Sequence, residues 1–314
     1  MSKTTRLTQK KLNALVRGFN APGWAETAMS DIEQDAESRK SNPGMRLCIL
    51  ASGSDGNCLC VTSGNTRVLV DAGIKNTRLT DGLAKIRIDP KAISAVLVTH
   101  EHAAHLGLAA LTLHRQHGVP LYASEGTAAA VARSIGTETI LWQIFKTGEK
   151  FRLGDLMIDS FSVSHKAADP VGFVIDDGRS RLGIATDLGM ATATVRRKLS
   201  DCDALVLDTN HDIEMLNQSG YPKYLIKRIQ GRRGHLSNEQ TAALLTQVIT
   251  LRLKTVVLAH LNRDCNTLPL ALAAVMQALE RAGRTDVHIE IAGGEASGFI
   301  ELSGVAPIDA QPGT

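Results

Sequence analysis

The chain has 314 residues, 43% hydrophobic and 21% charged, enough to bury the core of one large domain or two small ones. A formal charge of +3 is too small to establish a nucleic-acid partner by itself, no apolar run reaches the length of a membrane span, and the N-terminus lacks the apolar core of a signal peptide. The cysteines, Cys48, Cys58, Cys60, Cys202 and Cys265, are odd in number and scattered, which argues against a disulfide framework and for a reducing, cytoplasmic compartment.

Residues 1–44 differ from the rest. Lys3, Arg6, Lys10, Lys11 and Arg17 make the start basic, and Asp31, Glu33, Asp35 and Glu37 make the next part acidic. The stretch ends in Ser41-Asn42-Pro43-Gly44 and reads as a mobile extension, either a solvated tail or a basic arm. One domain is expected over 45–304, with a short tail at 305–314. Strands are expected at 46–50, 58–62 and 66–70, the last two joined by the hairpin signal Ser63-Gly64-Asn65. Cys58 and Cys60 then alternate along one strand. Ser52-Gly53-Ser54-Asp55-Gly56-Asn57 is a turn-rich loop.

Helices are expected at 77–87, 105–117 and 127–135, and strands at 95–98 and 120–123. Further strands follow at 156–163, 172–175, 182–185 and 205–207. Helices at 221–229 and 238–249 come next, the second opened by Ser237 and Gln240 as a capping box. A strand at 255–259, a helix at 268–282 and a strand at 287–291 close the pattern. Strands come first in hairpins and then alternate with helices, an α/β arrangement.

The residues that carry chemistry lie where expected strands end. Val96-Leu97-Val98-Thr99 runs into His100, His102 and His105. Neutral imidazole is a good ligand for zinc and similar ions. His100 and His102, two apart in extended backbone, can reach one ion, and His105, after a turn, can face a second. Asp71, His165, Asp187 and His260 also end strands, so one sheet edge would carry a site assembled from distant parts of the chain. His165 would complete a set of three imidazoles. Asp187 is either a turn aspartate or a carboxylate bridging two ions, and Asp71 either a turn former or the partner that orients a ligand. His235 precedes a helix N-terminus, whose N–H groups suit a phosphate oxygen; it is either a loop histidine or a proton donor. His211 lies near the site or in a loop. Arg228, Arg232 and Arg233 form a basic stretch beside His235. His114, His117 and His288 read as structural or surface residues.

His100-Glu101-His102-Ala103-Ala104-His105 is similar to the His-x-His-x-Asp-His signature of the metallo-β-lactamase superfamily. Ser52 to Asn57, Ala167-Ala168-Asp169-Pro170-Val171-Gly172-Phe173, Asn210-His211-Asp212-Ile213-Glu214-Met215-Leu216, Gly234-His235-Leu236-Ser237-Asn238 and Leu258-Ala259-His260-Leu261 resemble its YycJ/WalJ exonuclease group. The resemblance covers roughly residues 46–300. It implies an αβ/βα four-layer sandwich, one or two divalent ions, zinc or manganese, and 5′-to-3′ exonuclease cleavage of DNA, with RNA as an alternative substrate. By position, His100, His102 and His165 would hold the first ion. His105, Asp187 and His260 would hold the second, with Asp187 bridging and Asp71 behind them. Asp187 and His235 would be catalytic, and His211, Arg232, Arg233 and Ser237 would meet substrate.

Two positions depart from that pattern. Ala104 stands where the signature has a metal-binding aspartate, so the second ion loses a ligand and activity is expected to be weak or absent. Lys166 stands where an acidic residue is expected. The competing readings are a hydrolase of thioesters, lactams or lactones on the same fold, and a non-catalytic protein that binds metal or nucleic acid.

Overall fold

Successive residues of the first strand face opposite ways, and that alternation builds the layers. In the computed structural model, which describes residues 44–135, 140–293 and 296–302, strand β1 (Arg46–Ala51) points Leu47 and Ile49 into one core and Cys48 and Leu50 into another. The expected extension and tail lie outside the described residues, apart from Gly44. The first sheet adds β2 (Cys58–Ser63), β3 (Thr66–Val70), β4 (Ala95–Leu97), β5 (Leu121–Ser124) and β6 (Trp142–Phe145), with β14 (Ile300–Glu301) on its other edge. The second sheet holds β7 (Lys150–Leu153), β8 (Leu156–Ser162), β9 (Val171–Asp176), β10 (Arg181–Ala185), β11 (Ala204–Asp208), β12 (Thr255–Ala259) and β13 (His288–Ile291), in spatial order of their numbers.

The two sheets bury their facing sides against each other. Leu47, Val61, Val70 and Leu97 of the first share a core with Ile158, Phe173, Ile184 and Val257 of the second. Helices α1 (Asn76–Lys85), α2 (Leu108–His117) and α3 (Glu125–Ile135) cover the outer face of the first sheet, where Leu79, Leu83, Leu113 and Val131 meet Leu50, Leu69 and Val96. Helices α4 (Ala193–Leu199), α7 (Asn238–Val248) and α8 (Leu268–Arg281) cover the second, burying Leu199, Leu245 and Val275 against Leu205 and Leu258. Two short helices, α5 (Ile213–Gln218) and α6 (Lys223–Ile229), form a smaller cluster around Leu216, Ile229 and Cys265. The result is the expected αβ/βα sandwich. All five cysteines are buried and free. No helix among the described residues is long and apolar enough to cross a membrane.

Strand pairing decides where the site lies. β10, β11 and β12 run parallel, with Ala185 opposite Leu207 and Asp208 opposite Ala259. Their C-terminal ends therefore deliver Asp187, Asp208 and His260 to one edge. β3 and β4 are also parallel, with Val70 opposite Leu97, so Asp71 and the His100 turn leave the first sheet together. Ligand sites in open α/β sheets form at such carboxyl ends.

Several boundaries differ from expectation. The helix expected from 105 begins at Leu108, because Ala72 bridges to Leu106 and the Ala72 N–H donates to the His105 carbonyl at 2.9 Å. The helix expected at 221–229 begins at Lys223, after Pro222, and α5 precedes it. β6, β7, β14 and α4 were not expected.

Gly73 fits the histidine turn to the strand end. A Cβ there would lie 1.9 Å from the Ala104 carbonyl, backbone that has no room to shift cheaply. Gly73→Ala is expected to destabilise the fold by about 1–3 kcal/mol, as overpacking typically does, and to displace His105. Urea denaturation of the two proteins side by side checks this; equal midpoints would mean the turn yields freely.

Candidate metal centre

The strand ends are bent sharply into the site. Asp71, Asp187 and His260 have φ of 60°, 53° and 58°. Asp and His are among the few non-glycine types that visit this left-handed region with any frequency, at a cost of about 1–3 kcal/mol each. The surrounding hydrogen bonds hold them there. The Asp71 N–H donates to the Leu97 carbonyl at 2.8 Å, and the His260 N–H to Ser52 Oγ at 2.8 Å.

His100, His102 and His165 have one ring nitrogen each within 4.8 Å of the others. His100 Nε2 and His102 Nδ1 are 3.0 Å apart. Nitrogen ligands on a tetrahedral zinc sit about 3.4 Å apart, given bonds near 2.1 Å, so a small adjustment accommodates an ion. The outer nitrogens of two rings are occupied. His165 Nδ1 donates to the Gly234 carbonyl at 3.1 Å. His100 Nδ1 meets Thr99 Oγ1 at 3.0 Å, and that hydroxyl donates to Asp71 Oδ2 at 2.9 Å. With Nδ1 protonated on both rings, both Nε2 lone pairs are left to the interior.

The Asp187 carboxylate lies between two groups of imidazoles. Its Oδ1 is 3.6 Å from His165 Nε2 and 3.9 Å from His235 Nδ1. Its Oδ2 is 3.0 Å from His105 Nε2 and 3.1 Å from His260 Nδ1. His105 Nδ1 lies 2.7 Å from Asp71 Oδ2, which orients that ring. Sequence and geometry thus bring all six expected ligands together, with Asp71 directly behind.

Charge in this cluster is divided. Burial pushes His165 down to about 4, and burial also holds His100 well below the usual imidazole range. Both are neutral and ready as ligands. Burial alone would lower His105 too, but the Asp187 and Asp71 carboxylates outweigh it and hold that ring up at about 10. Burial would raise Asp187, yet the rings of His260 and His105 hold it well below the carboxylate range.

The donor set fits a divalent cation. His260 Nδ1 and Asp187 Oδ2 are both buried and, despite their proximity, neither makes a well-directed hydrogen bond. Buried polar atoms are rarely left so, and converging lone pairs of this kind are what a cation satisfies.

His235 stands at the rim, its side chain 17% exposed, with Nδ1 3.0 Å from Asp208 Oδ2. Burial works against its charged form, but Asp208 outweighs burial and raises it. Asp208 is fully buried and also accepts from the Leu188 N–H at 2.9 Å. Sequence reasoning missed Asp208, Thr99 and Ser52 as supports of the site. Asp208 ends an apolar strand just as Asp71 does, and that signal was available.

Residues expected at the substrate are placed differently. The Ser237 hydroxyl is buried, accepts from the Gln240 N–H at 3.2 Å and donates to Glu239 at 2.8 Å, so the helix cap consumes it. His211 is 1% exposed, and its carbonyl accepts from the Asn238 N–H. The Ser237 hydroxyl is thus taken up by the helix cap, while the His211 side chain is as buried as those of His100 and His105. Arg232 and Arg233 are exposed, but Arg233 Nε donates to the His165 carbonyl at 3.1 Å and its Nη2 to that of Ala167 at 3.3 Å. Arg233 therefore braces the His165 loop. Lys166 is exposed. Of the histidines set aside, His114 Nδ1 meets the Val119 carbonyl at 3.0 Å, a structural contact.

A family profile described as a beta-lactamase superfamily domain matches residues 66–261. The chain is 37% identical over 243 residues to the exodeoxyribonuclease YycJ of Bacillus anthracis, covering 76% of this chain and 91% of that protein. It is 33% identical over 246 residues to the exodeoxyribonuclease WalJ of Streptococcus pneumoniae serotype 2, covering 77% and 91%. Among solved structures it resembles the metallo-beta-lactamase fold protein YhfI from Bacillus subtilis, with a TM-score of 0.60 and 13% identity, covering 81% and 99%. At that identity the likeness concerns the fold alone.

Proposed function

This chain belongs to the β-lactamase superfamily as a YycJ/WalJ-like protein of metallo-β-lactamase fold, and from that premise we propose that it is a metal-dependent phosphodiesterase degrading DNA from a 5′ end. The observation that carries the reading is the Asp187 carboxylate with one oxygen toward each of two imidazole groups. The exodeoxyribonuclease names of the relatives at 33–37% identity support DNA as substrate. A cytoplasmic location agrees with the free cysteines.

His100, His102 and His165 would hold a first divalent ion, zinc or manganese, and His105, His260 and Asp187 a second. Such an ion, when bound, acidifies water and stabilises charge on phosphoryl oxygens. The protein's own groups do the rest. Thr99, Asp71 and the Gly234 carbonyl keep the imidazoles aimed inward. Asp208 holds the Nδ1 edge of His235, leaving Nε2 to serve a phosphate oxygen or the departing oxygen. Arg232, exposed beside it, suits a backbone phosphate.

The direct test is metal analysis of the purified protein followed by hydrolysis assays on 5′-phosphorylated single- and double-stranded DNA with added Mn²⁺ or Zn²⁺. Release of nucleotides from the 5′ end is expected, slow in the chain as it stands with Ala104 and faster in Ala104→Asp. Cleavage of a thioester or lactone with none of DNA or RNA would overturn the reading.

The two arginines should separate. Arg232→Ala is expected to reduce the log–log salt slope of DNA binding by about 0.7–0.9, one phosphate contact. Arg233→Ala should instead weaken metal binding, because it releases the His165 loop; loss of an outer support typically costs about 10–100-fold. A salt titration and a metal titration on each variant distinguish the roles. An unchanged slope in Arg232→Ala would mean that this arginine faces only solvent.

A further inference from the structure

Helix α6 presents an aromatic ring to solvent in the middle of a run of cations. Tyr224 is 74% exposed. The chain's other two tyrosines are occupied: Tyr122 stacks on Phe151, and the Tyr221 hydroxyl donates to Asp264 at 2.7 Å. An isolated exposed ring needs no explanation. This one has neighbours of a single chemistry. Tyr224, Lys227 and Arg228 are related by i, i+3 and i+4, so they share one helix face, spread over about 6 Å of its axis. The opposite side, Leu225, Ile226 and Ile229, packs against Leu216 and Cys265, which fixes the face that looks outward. Lys223, Lys227, Arg228 and Arg232 are all exposed, and among the described residues none of them is in an ion pair.

The helix leads straight into the metal centre. The Ile229 carbonyl accepts from the His235 N–H at 2.9 Å, and five residues past the helix end the Gly234 carbonyl holds His165. A cationic face bearing a solvent-exposed ring complements a polyanion whose bases can stack. In duplex DNA the base faces are covered by their neighbours; in an unpaired strand they are available.

We propose that α6 is the docking face for an unpaired DNA strand, with Tyr224 stacking on a base and Lys227 and Arg228 on the adjoining phosphates, so that the strand runs past Arg228 to the histidine cluster. The inference rests on the reading of the protein as a DNA phosphodiesterase, and it names the form of DNA that enters: a single strand or a frayed 5′ end.

Fluorescence anisotropy on the full chain tests it, with phosphorothioate-linked oligodeoxynucleotides that resist cleavage. Three 5′-phosphorylated probes are used: a single strand, the same strand with abasic sites, and a blunt duplex. The parent is expected to favour the single strand over the abasic one. Tyr224→Ala should bind the single strand about tenfold more weakly, the loss of one stacked base, and should lose that preference. Its salt slope should stay at the parent value, because its phosphate contacts remain. Tyr224→Phe keeps the ring and should bind like the parent. Arg228→Ala should lower the slope by about 0.7, one contact to a single strand. If Tyr224→Ala binds the single strand as tightly as the parent, or if the parent treats the abasic strand as an equal, the stacking proposal is overturned while the DNA reading stands. If the parent binds no DNA at all, the DNA reading falls and takes the proposal with it.

Discussion

His100→Ala and His165→Ala are each expected to strip most of the bound metal and to lower hydrolysis by on the order of a thousandfold. Each removes one of three imidazoles whose ring nitrogens already converge. Loss of an outer support alone costs about 10–100-fold in affinity, and loss of a direct ligand should cost more. An ion contributes several kcal/mol of transition-state stabilisation, and about 1.4 kcal/mol is tenfold in rate. The fold should survive, since the apolar cores on both faces of each sheet are untouched. Elemental analysis, circular dichroism and a nuclease assay on the same preparations check all three points. Full metal content in both variants would sink the assignment.

Ala104→Asp is expected to work in the opposite direction, raising metal content toward two ions per chain and hydrolysis by on the order of a hundredfold. The second position as it stands has His105 Nε2, His260 Nδ1 and a shared carboxylate oxygen. The proton that Asp71 and Asp187 hold on His105 must also leave before that nitrogen can bind an ion. A methyl group adds nothing there, whereas a carboxylate is a hard anionic ligand. Two-ion sites stabilise both the attacking and the leaving oxygen, and the expected gain follows from a few kcal/mol of that effect. The comparison requires both proteins at matched metal concentration. An aspartate variant that gains neither metal nor rate would show that position 104 is not the missing ligand, and would favour a metal- or DNA-binding role without catalysis.

The parts of this fold that could be read from sequence are those governed by burial. β1, β2, β3, β8, β10 and β12 are apolar runs closed by turn residues, and burial on both faces of their sheets is what makes them so. β6 and β7 were missed because they are edge strands of only four residues each and partly solvated: β6 (Trp142–Phe145) gives no clear alternation, and β7 (Lys150–Leu153) alternates but over too short a run to stand out. The helix start at Leu108 was misplaced because the residues before it bond to the distant Ala72, which no local pattern reveals. The clustering of the candidate site was legible because its expected ligands recur at strand ends. Its supports were legible only in part. Thr99 looks like an ordinary residue until β3 and β4 are placed side by side, whereas Asp208 carried the same strand-end signal as Asp71. Ser237 and Arg233 misled in the other direction, since a cap and a loop brace use the same atoms a phosphate would.

The parallel pairing of β10, β11 and β12 has a consequence in time. The chain leaves the ribosome from its N-terminus, and His100, His102, His105, His165 and Asp187 emerge well before His260. β12 fills a place between β11 and β13, and β14 closes the far edge of the first sheet against β1. Until those last strands arrive, neither sheet is complete and Asp187 lacks one of its flanking rings. Contacts so distant in sequence form late and together. A nascent chain or a fragment ending before β12 should therefore be silent, and the centre should assemble only once β12 and His260 have been made.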